Sequence, residues 1–202
     1  MFELIFRAIR MFTNALGLQY SQIVTRIKLS GNGVIYGKGH KYKGIPYIKV
    51  NRKGSCILGE NLSCNSGDNN PIGSGVKTYI VVGAGASLSI GNSVGMSNVA
   101  INCYESITIG NHVKLGGGVG IYDTDFHSLD YKVRADYKLD LQSKVTKPVT
   151  IGDNAFIGAH AVIMKGVSIG ERAIIGTGSV VTKDIPSDEI WAGNPAKFIK
   201  KI

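Results

Sequence analysis

Acidic residues are missing from a long stretch of this chain: between Leu4 and Gly59 there is no Asp or Glu. The same stretch carries ten basic residues, Arg7, Arg10, Arg26, Lys28, Lys38, Lys41, Lys43, Lys49, Arg52 and Lys53. From Glu60 onward the two signs cancel, so the formal net charge of +9 belongs to the N-terminal quarter. Such a block attracts an anionic partner (phospholipid, a pyrophosphate-linked glycan or nucleic acid) or stands as a solvated basic surface. Without a recognition helix or an aromatic-basic module beside it, nucleic acid is not expected. Cysteine is equally scarce. Cys56, Cys64 and Cys103 are odd in number and widely spaced. They match no zinc or disulfide pattern, which excludes a stapled secreted fold and points to buried free thiols in a reducing, cytoplasmic setting.

Long apolar runs are absent too. Residues 1–20 pattern as a helix whose polar stripe is Glu3, Arg7, Arg10, Asn14 and Gly17. The charges at Glu3, Arg7 and Arg10 break any apolar stretch of about 18 residues, which argues against a membrane span. No apolar segment leads into a small-residue cleavage site, so no signal peptide is expected. The segment 1–30 is expected to pack on the open end or side of the domain. The alternative is an interfacial helix on the inner face of a membrane.

What the chain has is a repeat. An aliphatic residue recurs at every sixth position: Val145, Ile151, Ile157, Ile163, Ile169, Ile175 and Val181. Four places after each sits a second apolar or small residue: Val149, Ala155, Ala161, Val167, Ala173, Ser179 and Ile185. A period of six is neither helical nor a plain strand alternation. It reads as a parallel β-helix in which a bend between units stacks the aliphatic positions inward. Glycines fall at repeat positions such as Gly152, Gly158, Gly170 and Gly176, so the 27 glycines are not low complexity. The 202 residues fit one domain. We expect the solenoid over 31–186 and a closing segment over 187–202.

Upstream the repeat is ragged. Leu58-Gly59, Val82-Gly83 and Ile90-Gly91 read as rung starts, and the Asn-, Gly- and Ser-rich residues 65–79 as a loop. Regularity returns at Ile109-Gly110, Leu115-Gly116 and Ile121 and then halts. Residues 122–144 form a polar excursion, and a long irregular loop leaving a regular solenoid is more often functional than accidental. It opens with Tyr122-Asp123-Thr124-Asp125-Phe126-His127-Ser128-Leu129. Imidazole titrates near neutral pH, so His127 is the candidate general base for an incoming hydroxyl. Asp123 and Asp125, the nearest carboxylates, are candidates to orient the ring or to hold substrate. A surface turn or an Asp/His metal site is the other reading of this segment.

The loop, followed by Lys147 to Pro186 and then Trp191-Ala192-Gly193-Asn194-Pro195-Ala196-Lys197, resembles the left-handed β-helix hexapeptide acyltransferases. The similarity is to maltose, galactoside and nodulation-factor acetyltransferases and to polysaccharide O-acetyltransferases, and covers about residues 80–202. The resemblance implies three hexapeptides per coil, a homotrimer with sites between subunits, and acetyl-CoA as donor. It implies cofactor contacts at Ala159, Thr177, Thr182, Lys183, Lys197 and Lys200, the lysines serving the phosphates. For the acceptor it implies Asn98, with Asn102 and Glu105 as chemically equal neighbours, and Tyr104 where relatives carry a carboxylate. Asn194-Pro195 would start a short C-terminal helix, with Asn as N-cap and Pro at the first position.

The expected activity is acetyl transfer to a carbohydrate hydroxyl, with no metal. The basic N-terminal quarter favours a surface-polysaccharide or lipid-linked glycan precursor. Other acceptors on the same fold, serine or an amino-sugar nucleotide, stay open. So do a zinc enzyme like the γ-class carbonic anhydrases, and a non-catalytic scaffold. His112 and His160 are expected at the surface or at a subunit contact.

Overall fold

The computed structural model describes residues 1–70, 72 and 75–202. Helix α1 (Phe2–Gly31) comes first. It is followed by β1 (Ile35–Tyr36), β2 (Lys41–Lys43) and β3 (Tyr47–Val50), the first coil. The second coil is β4 (Ser55–Leu58), β5 (Ser63–Asn65) and β6 (Tyr79–Val82). The third is β7 (Ser87–Ile90), β8 (Gly95–Ser97) and β9 (Ala100–Cys103), and the fourth β10 (Ser106–Ile109), β11 (Lys114–Leu115) and β12 (Gly120–Tyr122). After two short helices, α2 (Tyr131–Arg134) and α3 (Tyr137–Gln142), the fifth coil is β13 (Val149–Ile151), β14 (Phe156–Ile157) and β15 (Val162–Ile163). The sixth is β16 (Ser168–Ile169), β17 (Ile174–Ile175) and β18 (Val180–Val181), and β19 (Glu189–Ala192) and β20 (Lys197–Lys201) close the chain.

Every third strand stacks in one parallel sheet, which gives the solenoid three faces. Face one runs β1-β4-β7-β10-β13-β16, face two begins β2-β5-β8-β11-β14-β17, and face three runs β3-β6-β9-β12-β15-β18. In the upper coils Phe156 pairs with Ile174 and Val162 with Val180, a spacing of three hexapeptides. The inward column is the one the period predicts: Ile151, Ile157, Ile163, Ile169, Ile175 and Val181 are all buried, with Ala155, Ala161 and Ala173 between them. Each fully buried Ile or Val contributes about 1.5–3 kcal/mol, realised only when the next coil is in place. Cys56, Cys64 and Cys103, in the second and third coils, are free and buried in the same core, and desolvation pushes each thiol up to about 12.

The glycines explain how coils stack so closely. A Cβ on Gly152 would lie 2.6 Å from the Glu171 amide nitrogen, and one on Gly158 2.6 Å from that of Thr177. Beside this column, side chains tie coil to coil. Asn92 Oδ1 accepts from the Glu60 amide at 2.7 Å, Asn111 Oδ1 from the Asn92 amide at 2.9 Å, and Asp153 Oδ1 from the Asn111 amide at 2.7 Å. The bonds from Asn111, its amide first and then its side chain, hold the Asp153 carboxyl below its usual range.

Three expectations change. The first turns of α1 do not pack on the solenoid: within the helix only Ser21, Thr25 and Leu29 are buried. Val145, the first of the aliphatic series, is exposed, and the coil resumes at Val149. The end of the chain is not a helix. β19 runs parallel to β17, continuing face two, and β20 folds back antiparallel on β19 after a cis Asn194-Pro195 peptide. The open edge of β17 takes an extended partner, which satisfies backbone groups that a helix would leave unpaired. Part of the loop expected over 65–79 (residues 71, 73 and 74) lies outside the described residues.

Candidate active site

The corners between faces place the candidate residues. The excursion leaves face three after β12 and returns to face one at β13, so it springs from the third corner. Its neck is fixed by the Thr124–Thr146 bridge and by hydrogen bonds from the Asp125 amide to the Val145 carbonyl and the Lys147 amide to the Asp123 carbonyl. Beneath the neck, Asp123 is fully buried and accepts from the Tyr104 and Glu105 amides at 2.7 and 2.8 Å. Both of its oxygens are engaged with the coil below. Asp125 turns to Lys165 at 3.2 Å. Neither touches the imidazole, contrary to the reading from sequence proximity.

The partner of His127 is Asp140. Its Oδ2 lies 2.7 Å from His127 Nδ1, and its Oδ1 accepts from the Ser128 amide at 2.6 Å. These bonds, that from His127 first, hold the Asp140 carboxyl below the usual carboxylate range. The loop's helices bring it there. Asp130 caps α2 through the Lys132 amide, Asp136 caps α3 through those of Lys138 and Leu139, and Arg134 Nη1 donates to the Ser128 carbonyl at 2.6 Å. A carboxylate on Nδ1 fixes the tautomer with its proton there and leaves Nε2 as the basic nitrogen. The His127 side chain is 67% exposed in the single chain. The residue missed in the sequence, Asp140, carried one signal: the Asp136 cap followed by a helical turn that places it one turn on.

Around the loop root stand Tyr104, Tyr122 and Phe126, with ring centroids of Phe126 6.1 Å from Tyr104 and 5.6 Å from Tyr122. Lys144 Nζ lies 5.2 Å above the Tyr104 ring. Asn102 shares this neighbourhood, since it is in register with Tyr122 on face three, and Glu105 follows at the root. Asn98 does not. It is buried at the second corner in a left-handed turn, its amide donating to the Asn65 carbonyl.

The expected donor residues divide in the same way. Ala159 and Thr177 stack at the second corner, where the Gly178 amide donates to the Ala159 carbonyl at 2.8 Å. Thr182 and Lys183 are exposed at the third corner, two coils above the loop. Lys197 and Lys200 project from exposed β20. A single chain therefore does not gather the set. His112 and His160 are also apart, in left-handed turns at the first and second corners, and His40 is buried in the first coil against the Tyr42 hydroxyl and the Gly59 carbonyl. Among the described residues no three His, Cys, Asp or Glu side chains converge as metal ligands.

Comparison with known proteins adds the following. Residues 148–183 match the family described as the hexapeptide repeat of succinyl-transferase. YJL218W of Saccharomyces cerevisiae, named provisionally as an acetyltransferase, is 41% identical over 120 residues, 58% of either chain. The 2,3,4,5-tetrahydropyridine-2,6-dicarboxylate N-acetyltransferase of Lacticaseibacillus paracasei is 55% identical over 62 residues, 31% of this chain and 26% of that one. The chain spans about half the length of the first curated relatives it matches. Among solved structures, AntD, an N-acyltransferase of Bacillus cereus, shares the fold at TM-score 0.68 and 19% identity over 87% of both chains. The hexapeptide-repeat acetyltransferase VCA0836 of Vibrio cholerae is 25% identical at TM-score 0.54, over 96% of this chain and 91% of that one. A galactoside acetyltransferase in complex with coenzyme A is 26% identical at TM-score 0.54, over 83% and 64%. The fold is thus a left-handed β-helix.

Proposed function

We propose that this chain, a member of the hexapeptide-repeat acetyltransferase family, moves an acetyl group from acetyl-CoA to a carbohydrate hydroxyl. The observation that carries the reading is the His127–Asp140 pair, held on a tethered loop of a coil whose relatives transfer acyl groups. Nε2 takes the acceptor proton as its oxygen attacks the thioester carbonyl, forming the C–O bond. Collapse of the tetrahedral adduct breaks the C–S bond, and the imidazolium, paired with ionised Asp140, returns the proton to the departing thiolate. Backbone N–H groups in the groove would hold the oxyanion.

The split of the donor residues over two corners supports a trimeric enzyme. A cleft between subunits could pair Ala159 and Thr177 of one copy with Thr182 and Lys183 of the next, Lys197 and Lys200 flanking it. In the single chain His127 is largely exposed, and a neighbouring subunit would exclude water from it. The loop-root residues Asn102, Glu105 and Tyr104 are then the candidate acceptor contacts, and Asn98 would serve only from an adjacent subunit's corner. Asp123 and Asp125 would support that site from beneath instead of binding sugar. A surface-polysaccharide or glycolipid precursor in the cytoplasm is the acceptor class that the basic N-terminal quarter fits.

Calorimetric titration of acetyl-CoA into the native protein and a Lys183→Glu variant tests the donor site without a guess about the acceptor. Micromolar binding, weakened by the substitution, is expected; absence of binding in both proteins sinks the reading. An acceptor screen then follows with His127→Ala, expected to lower kcat by about 10²–10⁴-fold. Transfer to an amino-sugar nucleotide and to no hydroxyl would reassign the enzyme to N-acylation on the same dyad.

A further inference from the structure

Helix α1 closes one end of the solenoid with the side that carries Ser21, Thr25 and Leu29. Strands β1, β2 and β3 are the first members of the three sheets, so their outer edges need partners. α1 and its cap supply two contacts there: Asn32, the C-cap, accepts through Oδ1 from the Val50 amide at 3.0 Å, and Lys28 Nζ donates to the Pro46 carbonyl just before β3 at 3.2 Å. The residues it buries there are Ser21, Thr25 and Leu29, spaced four apart on one stripe. Extended toward the N-terminus, that side is mixed: it carries Asn14, Arg7 and Glu3, the last two paired at 2.6 Å, beside the exposed Leu18, Met11 and Leu4.

The apolar stripe lies on the other side. Phe2, Ile5, Ile9, Phe12, Leu16, Tyr20, Ile23 and Ile27 recur every three or four residues, and each is at least 50% exposed. Even where the helix touches the solenoid, at Ile23 and Ile27, this face points away from it. Burial against the chain's own core therefore does not explain the pattern. Residues 2–16 run beyond the buried segment for about 20 Å. No helix among the described residues is long and apolar enough to cross a membrane.

Charge selects what the face meets. Lys41 and Lys43 are exposed on β2, Lys49 on β3, and Lys38, Arg52 and Lys53 on the turns of the same coil. They surround the end that α1 closes, with no acidic residue before Glu60 other than Glu3. A second copy docked on this end would set one positive array against another. An anionic bilayer takes both features at once, apolar side chains into the acyl boundary and cations to the headgroups.

We propose that α1 lies in the interface of an anionic lipid bilayer, apolar face inward, with the first coil's lysines and arginines against the headgroups. The solenoid then stands end-on to the membrane, and the His127 loop, at the level of the fourth coil, sits above its surface.

The test uses the full chain and is independent of acetyl transfer. Co-sedimentation with vesicles of phosphatidylcholine mixed with phosphatidylglycerol is compared with vesicles of phosphatidylcholine alone. Strong, salt-sensitive binding to the mixed vesicles is expected. An Ile5→Glu, Ile9→Glu, Phe12→Glu variant, altered only at exposed positions, should lose that binding while its melting curve and light-scattering mass stay unchanged. Lys41→Glu with Lys43→Glu should weaken it by about tenfold or more. Failure of the native protein to bind mixed vesicles overturns the proposal, as does equal binding to both kinds. A fall in oligomeric mass in the triple variant also overturns it, because the face would then be a subunit contact.

Discussion

At the scale of the residue, the site turns on a carboxylate thirteen positions from the histidine it orients. His127 in solution could place its proton on either nitrogen; Asp140, 2.7 Å from Nδ1, selects that one and, on the proposed mechanism, would steady the imidazolium formed on proton uptake. If His127 is the base, as proposed, Asp140→Asn is expected to cost about ten- to a hundredfold in kcat, with little change in the acetyl-CoA titration, because Asp140 would orient the base and not hold the donor. The carboxyl's depressed pKa also fixes a sign. Its contribution to loop stability is complete above the unfolded value, about 3.9 for Asp, and is lost as pH falls through the lower folded value. Tyrosine fluorescence across an acid titration should therefore show the loop loosening only below the usual carboxylate range. Asp140→Asn should remove that transition; its persistence would assign it elsewhere.

At the scale of the element, each coil is held by contacts that leave no room for a side chain. Gly158→Ala sets a Cβ 2.6 Å from a backbone nitrogen of the next coil, which cannot rotate away. A loss of about 1–3 kcal/mol is expected, seen as a lower urea midpoint at unchanged slope. Gly17→Ala, with nothing within 4 Å of the added atom, is the contrast. In a helix it should hold or raise stability by about 0.5–1 kcal/mol. Equal effects of the two substitutions would contradict the stacking described here. The terminal hairpin follows the same logic, since β19 finishes the edge of face two and β20 covers it, with Trp191 and Phe198 in edge contact at 6.3 Å.

At the scale of the whole molecule, a solenoid is bounded by its ends and faces, and here they differ. One end carries α1 and the basic array, and the other carries the hairpin. Face three holds a column of half-exposed side chains, Tyr47 over Tyr79 at 5.2 Å between centroids, that another subunit could cover. The trimeric reading predicts a light-scattering mass near three times the 21.5 kDa chain, independent of dilution over the micromolar range. A monomer that still binds acetyl-CoA tightly would show that one chain suffices for the donor site, against the split over two corners.

The sequence by itself determined the coil. A period of six with Ile or Val inward, small residues at the bends and glycine where backbones meet is a local pattern, and each rung satisfies it against an identical neighbour. It also singled out His127, because the repeat stops beside it. Tertiary structure decided what depends on distant partners. Asp140 reaches His127 through two capped helical turns, whereas the nearer Asp123 is drawn beneath the loop by two amides of the preceding coil. The C-terminal segment, whose Asn-Pro reads locally as a helix start, became a hairpin because the free edge of β17 offered an extended partner. The outward turn of α1's apolar face was likewise invisible in its periodicity. A helical stripe states that one face is apolar, and only the packing of Ser21, Thr25 and Leu29 shows which way that face points.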